Sequence, residues 1–388
     1  MADKYLGESI AKLGFGFMRL PRLPSDPAKA GVTTEGPGTS PDPFDMAQVE
    51  RMVDLYLENG FTYFDTAFIY QGSEEALRDA LIKRHPAREK YQIATKLNLM
   101  FTNDRAGMEE QFNTTMTRLD TPYIDFYLLH GLGKDSAKKA EEIGAWDYVC
   151  ELKEQGKIKH LGFSFHGSPE DLDDILTKHP EAEFVQLQLN YLDWESEDVQ
   201  ARRLYEVARA HKTPIAVMEP LKGGKLASES FPPAAAFKAA DASASIASWG
   251  LRFIAELEGI MVILSGMSTF EQVADNVKTF KSLKPLTEAD YKLIAKAAEE
   301  IRAFQGIPCT SCNYCSPNCP QNINIPALID MYNEYLIYQD PKQVGGFAYT
   351  FHKAKAKDCI ACGVCVSHCP QNIDIPNVLG KLSPLVDK

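Results

Sequence analysis

Short apolar runs alternate with longer segments of helical periodicity over the first three hundred residues. The runs at 12–18 (KLGFGFM), 62–67 (TYFDTA), 91–96 (YQIATK), 123–130 (YIDFYLLH), 159–164 (KHLGFS), 184–189 (FVQLQL), 214–218 (PIAVM) and 260–266 (IMVILSG) predict strands. Apolar positions at helical spacing predict helices at 46–59, 72–84, 105–119, 141–156, 197–211 and 270–280, and again over 287–304. Strands that alternate with helices build parallel α/β structure. Eight of them in a unit of this length close most economically into a (β/α)8 TIM barrel. A doubly wound open sheet is the rival. It usually carries a G-x-G-x-x-G turn after its first strand, and this chain has none there.

Two stretches interrupt the rhythm. Residues 22–44 follow the first strand, and residues 221–243 follow the seventh. Loops after barrel strands lie on the face that carries active sites. The first is rich in Gly, Pro, Ser and Thr and reads as a mobile loop or a lid. The second opens with Gly223 and Gly224, where barrels often bind phosphate.

Past residue 305 the pattern changes. The stretch CTSCNYCSPNCPQNINIP at 309–326 returns as CIACGVCVSHCPQNIDIP at 359–376. Between them, Leu328, Ile329, Met331, Tyr332, Tyr335 and Leu336 recur near helical spacing and predict a helix. A chain of 388 residues exceeds one small core, so two domains are expected, at 1–304 and 305–388.

Composition narrows the classes. The 45% hydrophobic and 24% charged content is that of a globular protein. A net charge of −12 argues against a nucleic-acid partner, which would need basic side chains facing phosphates. No apolar run approaches the roughly 18 residues of a spanning helix. The first residues show no basic-then-apolar leader. The expectation is a cytoplasmic protein without a membrane partner.

Cysteine usage is the strongest chemical signal. Eight of nine cysteines fall in the two repeats, each reading C-x2-C-x2-C-x3-C-P. Cys150, in a helical segment, reads as a small hydrophobe. Structural zinc usually takes two separated C-x2-C pairs, and disulfide frameworks belong to secreted chains. Three thiolates at this spacing wrap a corner of an iron–sulfur cubane, and in two-cluster ferredoxins the fourth cysteine of each run serves the other cluster. Two [4Fe–4S] clusters are therefore expected, with zinc or inactive thiols as alternatives. One cluster would take Cys309, Cys312, Cys315 and Cys369, the other Cys359, Cys362, Cys365 and Cys319. With its helical spacer this region resembles the α-helical dicluster ferredoxin family. So short a segment is held together by its metal as much as by its core.

Polar residues also end consecutive strands. Asp65 closes the second, Lys96 the third and His130 the fourth; Tyr70 follows five residues after Asp65. Strand ends are where barrels keep their chemistry. On this set, and on the cysteine repeats, the chain resembles the aldo-keto reductase family, in the form that carries a C-terminal iron–sulfur region. The resemblance implies an NAD(P)H-dependent oxidoreductase acting on a small-molecule carbonyl or alcohol. A free tyrosine, with a pKa near 10, is a poor acid at neutral pH. A neighbouring ammonium should lower that value. Lys96 is expected to do so, held by Asp65, so that Tyr70 protonates the carbonyl oxygen while His130 orients it.

The same resemblance implies nicotinamide contacts from Ser164 and Gln186, pyrophosphate contacts around Gly223, and adenine contacts from Asp275 and Asn276. At three places the chain departs from the family pattern. Phe165 replaces the carboxamide asparagine and Met218 the stacking aromatic. Gly266 and Gln272 replace a basic pair that clamps the 2′-phosphate. A weaker preference for NADPH follows, with Lys222, Lys225 or Lys278 as substitute cations.

Hydride chemistry moves electrons in pairs and each cluster moves one, so a flavin commonly mediates between them. The competing reading is thus an iron–sulfur electron-transfer protein whose barrel binds a flavin or docks a redox protein partner. In the leading reading the clusters are an electron relay or a structural staple.

Overall fold

The computed structural model describes residues 3–23, 43–197, 199–229, 231–303, 306–309, 315–339, 344, 349, 352–369 and 371–387. Most of the predicted loop 22–44, and Cys312, lie outside the described residues. A hairpin of β1 (Asp3–Tyr5) and β2 (Glu8–Ile10) opens the chain. Its three-residue strands are too short for alternation to show in the sequence. Its Ile10 is fully buried among residues that face the barrel interior, including Tyr63, Phe126, Phe184 and Met261, so the hairpin plugs the barrel floor.

Eight strands follow: β3 (Leu13–Gly16), β4 (Tyr63–Asp65), β5 (Gln92–Asn98), β6 (Ile124–Leu132), β7 (Ile158–Phe165), β8 (Phe184–Gln188), β9 (Ile215–Met218) and β10 (Ile260–Ser265). All pair in parallel, in chain order, and β10 closes on β3. This is the expected closed barrel, with each strand within two residues of its predicted bounds. Parallel strands covered on both faces read as continuous apolar runs. That is why the pattern was legible.

Helices cover the outside. Met46–Glu58 shows how. Asp45 caps it by accepting from Gln48 N (3.1 Å), and Val49, Met52, Val53 and Tyr56 bury one face. The Tyr56 hydroxyl shares its one proton between the carbonyls of Leu13 (2.7 Å) and Tyr63 (2.9 Å), which ties the helix to β3 and β4.

Two helical expectations change, and further helices appear. The helix at 72–84 is an α-helical turn, Ser73–Leu77, that widens into a π-helical one at Arg78–Ile82. In place of 141–156 there are two helices, Lys134–Glu142 and Ala145–Glu154, divided at Gly144, whose φ of +66 is left-handed. The long loop 221–243 contains a short turn of helix, Lys222–Ala227, and a helix, Ala234–Ala240. Helices Pro169–Lys178 and Ile246–Ala255 also stand where none was drawn.

The C-terminal region is helical. Ile325–Tyr338 packs against Ile375–Val386 around a second apolar core that includes Ile325, Leu328, Ile375 and Leu382. Tyr338, at the end of the first helix, is buried instead in the barrel's own core cluster. Among the described residues no helix is long and apolar enough to cross a membrane.

Candidate active site

The C-terminal ends of β4, β5 and β6 bring Asp65, Lys96 and His130 to one mouth, with Tyr70 in the turn after β4. Lys96 is buried. Its ammonium donates to Asp65 Oδ1 (2.7 Å), Asp65 Oδ2 (2.9 Å) and the carbonyl of Thr66 (2.7 Å). These three bonds use all three ammonium protons. Lys96 Nζ also lies 5.2 Å from the centre of the Tyr70 ring. Burial works against the Lys96 charge, but Asp65, Tyr70 and Glu74 outweigh it, and the pKa is raised. Burial pushes the Asp65 carboxyl up, and Lys96 and Gln186 pull it back.

Tyr70 departs from expectation. Its pKa is raised rather than lowered: burial of the hydroxyl end dominates, and the pull of Lys96 offsets only part of it. Desolvation disfavours the phenolate, and no Lys96 proton is left over to bind it directly. His130 packs edge-on against the Tyr70 ring, with centroids 6.0 Å apart. Burial, then Lys96 and His166, hold its pKa well below the ordinary value, so the imidazole is neutral at neutral pH.

A second group of residues surrounds this mouth. The Ser164 hydroxyl accepts from Gly131 N (2.7 Å), and Gln186 Nε2 reaches Asp65 Oδ2 at 3.4 Å. Met218 ends β9, and Glu219 follows it at a left-handed φ of +55. Next come Gly223 (φ +67) and Gly224 (φ +96). Arg19, just past β3, fills the space beside these glycines. A Cβ on Gly223 would lie 3.1 Å from Arg19 Nη2, and one on Gly266 would lie 3.1 Å from Arg19 Cδ. Glu219 Oε1 faces Arg19 Nη2 at 3.8 Å.

The other expected nucleotide contacts are partly engaged. Gln272 turns its carbonyl back to accept from Ser268 N (2.6 Å). Asn276 is buried and donates to Ser265 Oγ (2.8 Å), whereas Asp275 on the same helix, Phe270–Lys281, is half-buried. Two of the substitute cations are also paired: Lys222 with Asp193 at 2.7 Å, and Lys225 with Glu334 of the C-terminal region. Arg19 was not singled out in the sequence, nor were Asn98 and His166. All three lie at or just past strand ends, so the strand-end rule that found Asp65 and Lys96 extends to them.

The cysteines meet across the two repeats. Cys319 lines one pocket with Cys359, Cys362 and Cys365. Cys309 and Cys369 lie beside Cys315. Burial pushes the Cys365 thiol up to about 11, so metal binding must displace its proton. Among the described residues no three side chains close tightly enough to grip a single metal ion. The thiols of Cys319, Cys359, Cys362 and Cys365 converging on one pocket fit a multi-iron cluster.

Comparison with known proteins agrees with this geometry. The aldo/keto reductase family profile matches residues 30–299, and a 4Fe-4S dicluster domain profile matches residues 308–373. A methylglyoxal reductase of Yersinia pestis is 33% identical over 120 residues, 31% of this chain and 41% of that protein. A probable aldo-keto reductase of Glycine max is 32% identical over 186 residues, 45% of this chain and 46% of that one. The chain thus spans less than half the length of these relatives. Among solved structures, an aldo-keto reductase from Bacillus halodurans superposes with a TM-score of 0.58 at 24% identity, covering 76% of this chain and 96% of that one. One from Klebsiella pneumoniae, in complex with NADP and acetate, gives a TM-score of 0.57 at 19% identity over 75% and 92%. These two likenesses are of fold. With its barrel matched from 30 to 299, the chain belongs to the aldo/keto reductase family and carries a C-terminal 4Fe-4S dicluster domain.

Proposed function

We propose that this protein reduces small carbonyl compounds with NAD(P)H, with Tyr70 as the proton donor, and that its C-terminal domain holds two [4Fe–4S] clusters. The barrel domain is taken as 1–304 and the cluster domain as 305–388. The observation that carries the reading is the buried Lys96 ammonium, fixed by Asp65 and Thr66 beside the Tyr70 ring and next to a neutral His130.

When bound, the nucleotide supplies a hydride to the carbonyl carbon. The chain supplies the rest. Tyr70 is protonated through the neutral range and so is ready to give a proton to the oxygen. As that proton leaves, the Lys96 charge stabilises the phenolate across the ring. Asp65 keeps Lys96 charged and in place. His130, being neutral, can donate one hydrogen bond to the carbonyl oxygen. Ser164 and Gln186 stand where a carboxamide would be held. The Arg19 guanidinium beside Gly223, with its stem along Gly266, is a cation at the mouth that can pair with a phosphate. Met218, Gly266, Gln272, Asp275 and Asn276 are assigned the remaining nucleotide contacts in this reading.

For the clusters, one set is Cys359, Cys362, Cys365 and Cys319, which share a pocket. The other is Cys309, Cys312, Cys315 and Cys369, supported by the closeness of three of its members. When bound, the clusters supply one-electron transfer. The chain links them to the barrel through helix Ile325–Tyr338: Ile325 lines the pocket, and Tyr338 is buried against the barrel.

Two relatives are a methylglyoxal reductase and a glyoxal reductase, so these dicarbonyls are the first substrates to assay. Cluster-replete protein should oxidise NADPH or NADH in their presence. Tyr70→Phe should cut turnover at least roughly 100-fold while nucleotide binding persists. Turnover that survives the substitution would remove Tyr70 as the acid. Binding of FMN with no binding of either nucleotide would replace this reading with that of an electron-transfer protein.

A further inference from the structure

His130 has one donor to offer, and its tautomer decides where that donor is. A neutral imidazole carries its proton on one nitrogen only. The neighbour on its far side therefore matters. In the β5–β6 ladder Asn98 pairs directly with His130. It lies two residues past Lys96, so both side chains leave the same face of β5. Asn98 is buried, and its amide nitrogen stands 3.5 Å from His130 Nδ1. That distance is at the outer limit of a hydrogen bond. Direction rather than length selects the tautomer here.

The direction is over-determined. Asn98 Oδ1 accepts from Met100 N (2.8 Å). An amide flipped by half a turn would set its NH2 against that N–H, donor against donor. The Asn98 backbone is equally held: its N donates to Gln111 Oε1 (2.6 Å), and its carbonyl accepts from Gln111 Nε2 (3.0 Å). The amide nitrogen is therefore the atom that faces the imidazole. A proton on His130 Nδ1 would point at another donor.

We propose that Asn98 is a positioning residue: its amide nitrogen keeps His130 Nδ1 unprotonated and so holds the imidazole proton on Nε2, free to bind a carbonyl oxygen. The inference rests on the carbonyl-binding role given to His130 above. The other ionisable groups around the ring are Lys96 from β5, Tyr70 after β4 and His166 after β7; Asp65 stands behind Lys96, and Glu219 acts on His166. Lys96 and His166 disfavour a charged imidazole, and no hydrogen bond from either to the ring is seen among the described residues. The choice between the two neutral tautomers falls to Asn98.

The test is long-range 1H–15N spectroscopy of 15N-labelled, cluster-replete protein, with the His130 signals assigned by His130→Gln. Native protein should show His130 as the Nε2–H form across neutral pH. Asn98→Asp is nearly isosteric and can still accept from Met100 N. It should move the proton to Nδ1, raise the pH at which His130 titrates, and lower turnover at least roughly tenfold with nucleotide affinity unchanged. An Nδ1–H form in the native protein would overturn the proposal even if the variant failed to fold. So would an unchanged tautomer in Asn98→Asp. A switched tautomer with full turnover would uphold the assignment and remove His130 from carbonyl binding instead.

Discussion

Arg19 lies along Gly266: a Cβ at that glycine would meet Arg19 Cδ at 3.1 Å and Cγ at 3.4 Å. The first and last barrel strands thus share one cation at the mouth. Arg19→Met should weaken both NADPH and NADH at least about tenfold, since a charged hydrogen bond contributes roughly 1.5–3 kcal/mol. Glu219→Gln, which frees Arg19 from its carboxylate, should tighten both. Titration calorimetry reads the outcome. Loss confined to NADPH would place Arg19 on the 2′-phosphate rather than on the pyrophosphate. Unchanged affinities would take it out of the nucleotide site.

The pH profile follows from two half-buried groups that the surrounding protein desolvates. Burial, with Lys96 and His166, holds His130 below its ordinary 6.5, so it stays neutral until the solution is more acidic than that. Burial holds Tyr70 above 10.0 despite Lys96, so it stays protonated until the solution is more alkaline. kcat/KM should therefore be flat between these limits, with an acid limb below 6.5 that His130→Gln removes. The unfolded chain binds the histidine proton more readily than the folded one, so stability should also fall as pH drops below 6.5. An acid limb centred above 6.5 would contradict the depressed pKa of His130.

The crossed ligation proposed for the repeats is separable. Cys319 belongs to the first run in sequence but lines the pocket of the second. Cys319→Ala should lower iron from about eight to about four per chain and spare the cluster near Cys309 and Cys315. Mössbauer or paramagnetic resonance spectra distinguish the two. Loss of the earlier cluster with the later one intact would reverse the assignment.

The cluster domain also touches the turn that carries Gly223 and Gly224. Lys225, in the turn that carries Gly223 and Gly224, pairs with Glu334 and lies 5.8 Å from the centre of the Tyr338 ring. Both partners are on helix Ile325–Tyr338. Glu334→Gln should loosen that turn and weaken nucleotide binding about two- to fivefold, the range of a partly exposed ion pair. Chelating the iron should do the same through the helix. Identical affinities in native, substituted and iron-free protein would mean that the two domains act independently at this contact.

Much of this protein was legible along the chain. The barrel strands showed because parallel, doubly covered strands are written as apolar runs, and local runs need no partner to be recognised. Asp65, Lys96 and His130 showed because each ends such a run. The cysteine spacing announced clusters because the ligand geometry is local to each repeat. Closure, register and burial were decided elsewhere. Only barrel closure sets β3 against β10, and so Arg19 against Gly266. Only the β5–β6 register sets Asn98 beside His130. Only the packing of the last helices carries Cys319 to the second repeat and Glu334 to Lys225. The Tyr70 pKa shows why a motif could not supply these facts. Lys96 acts on the phenol as the sequence led one to expect, but desolvation sums over every atom that excludes water, and that sum exists only once the chain has folded.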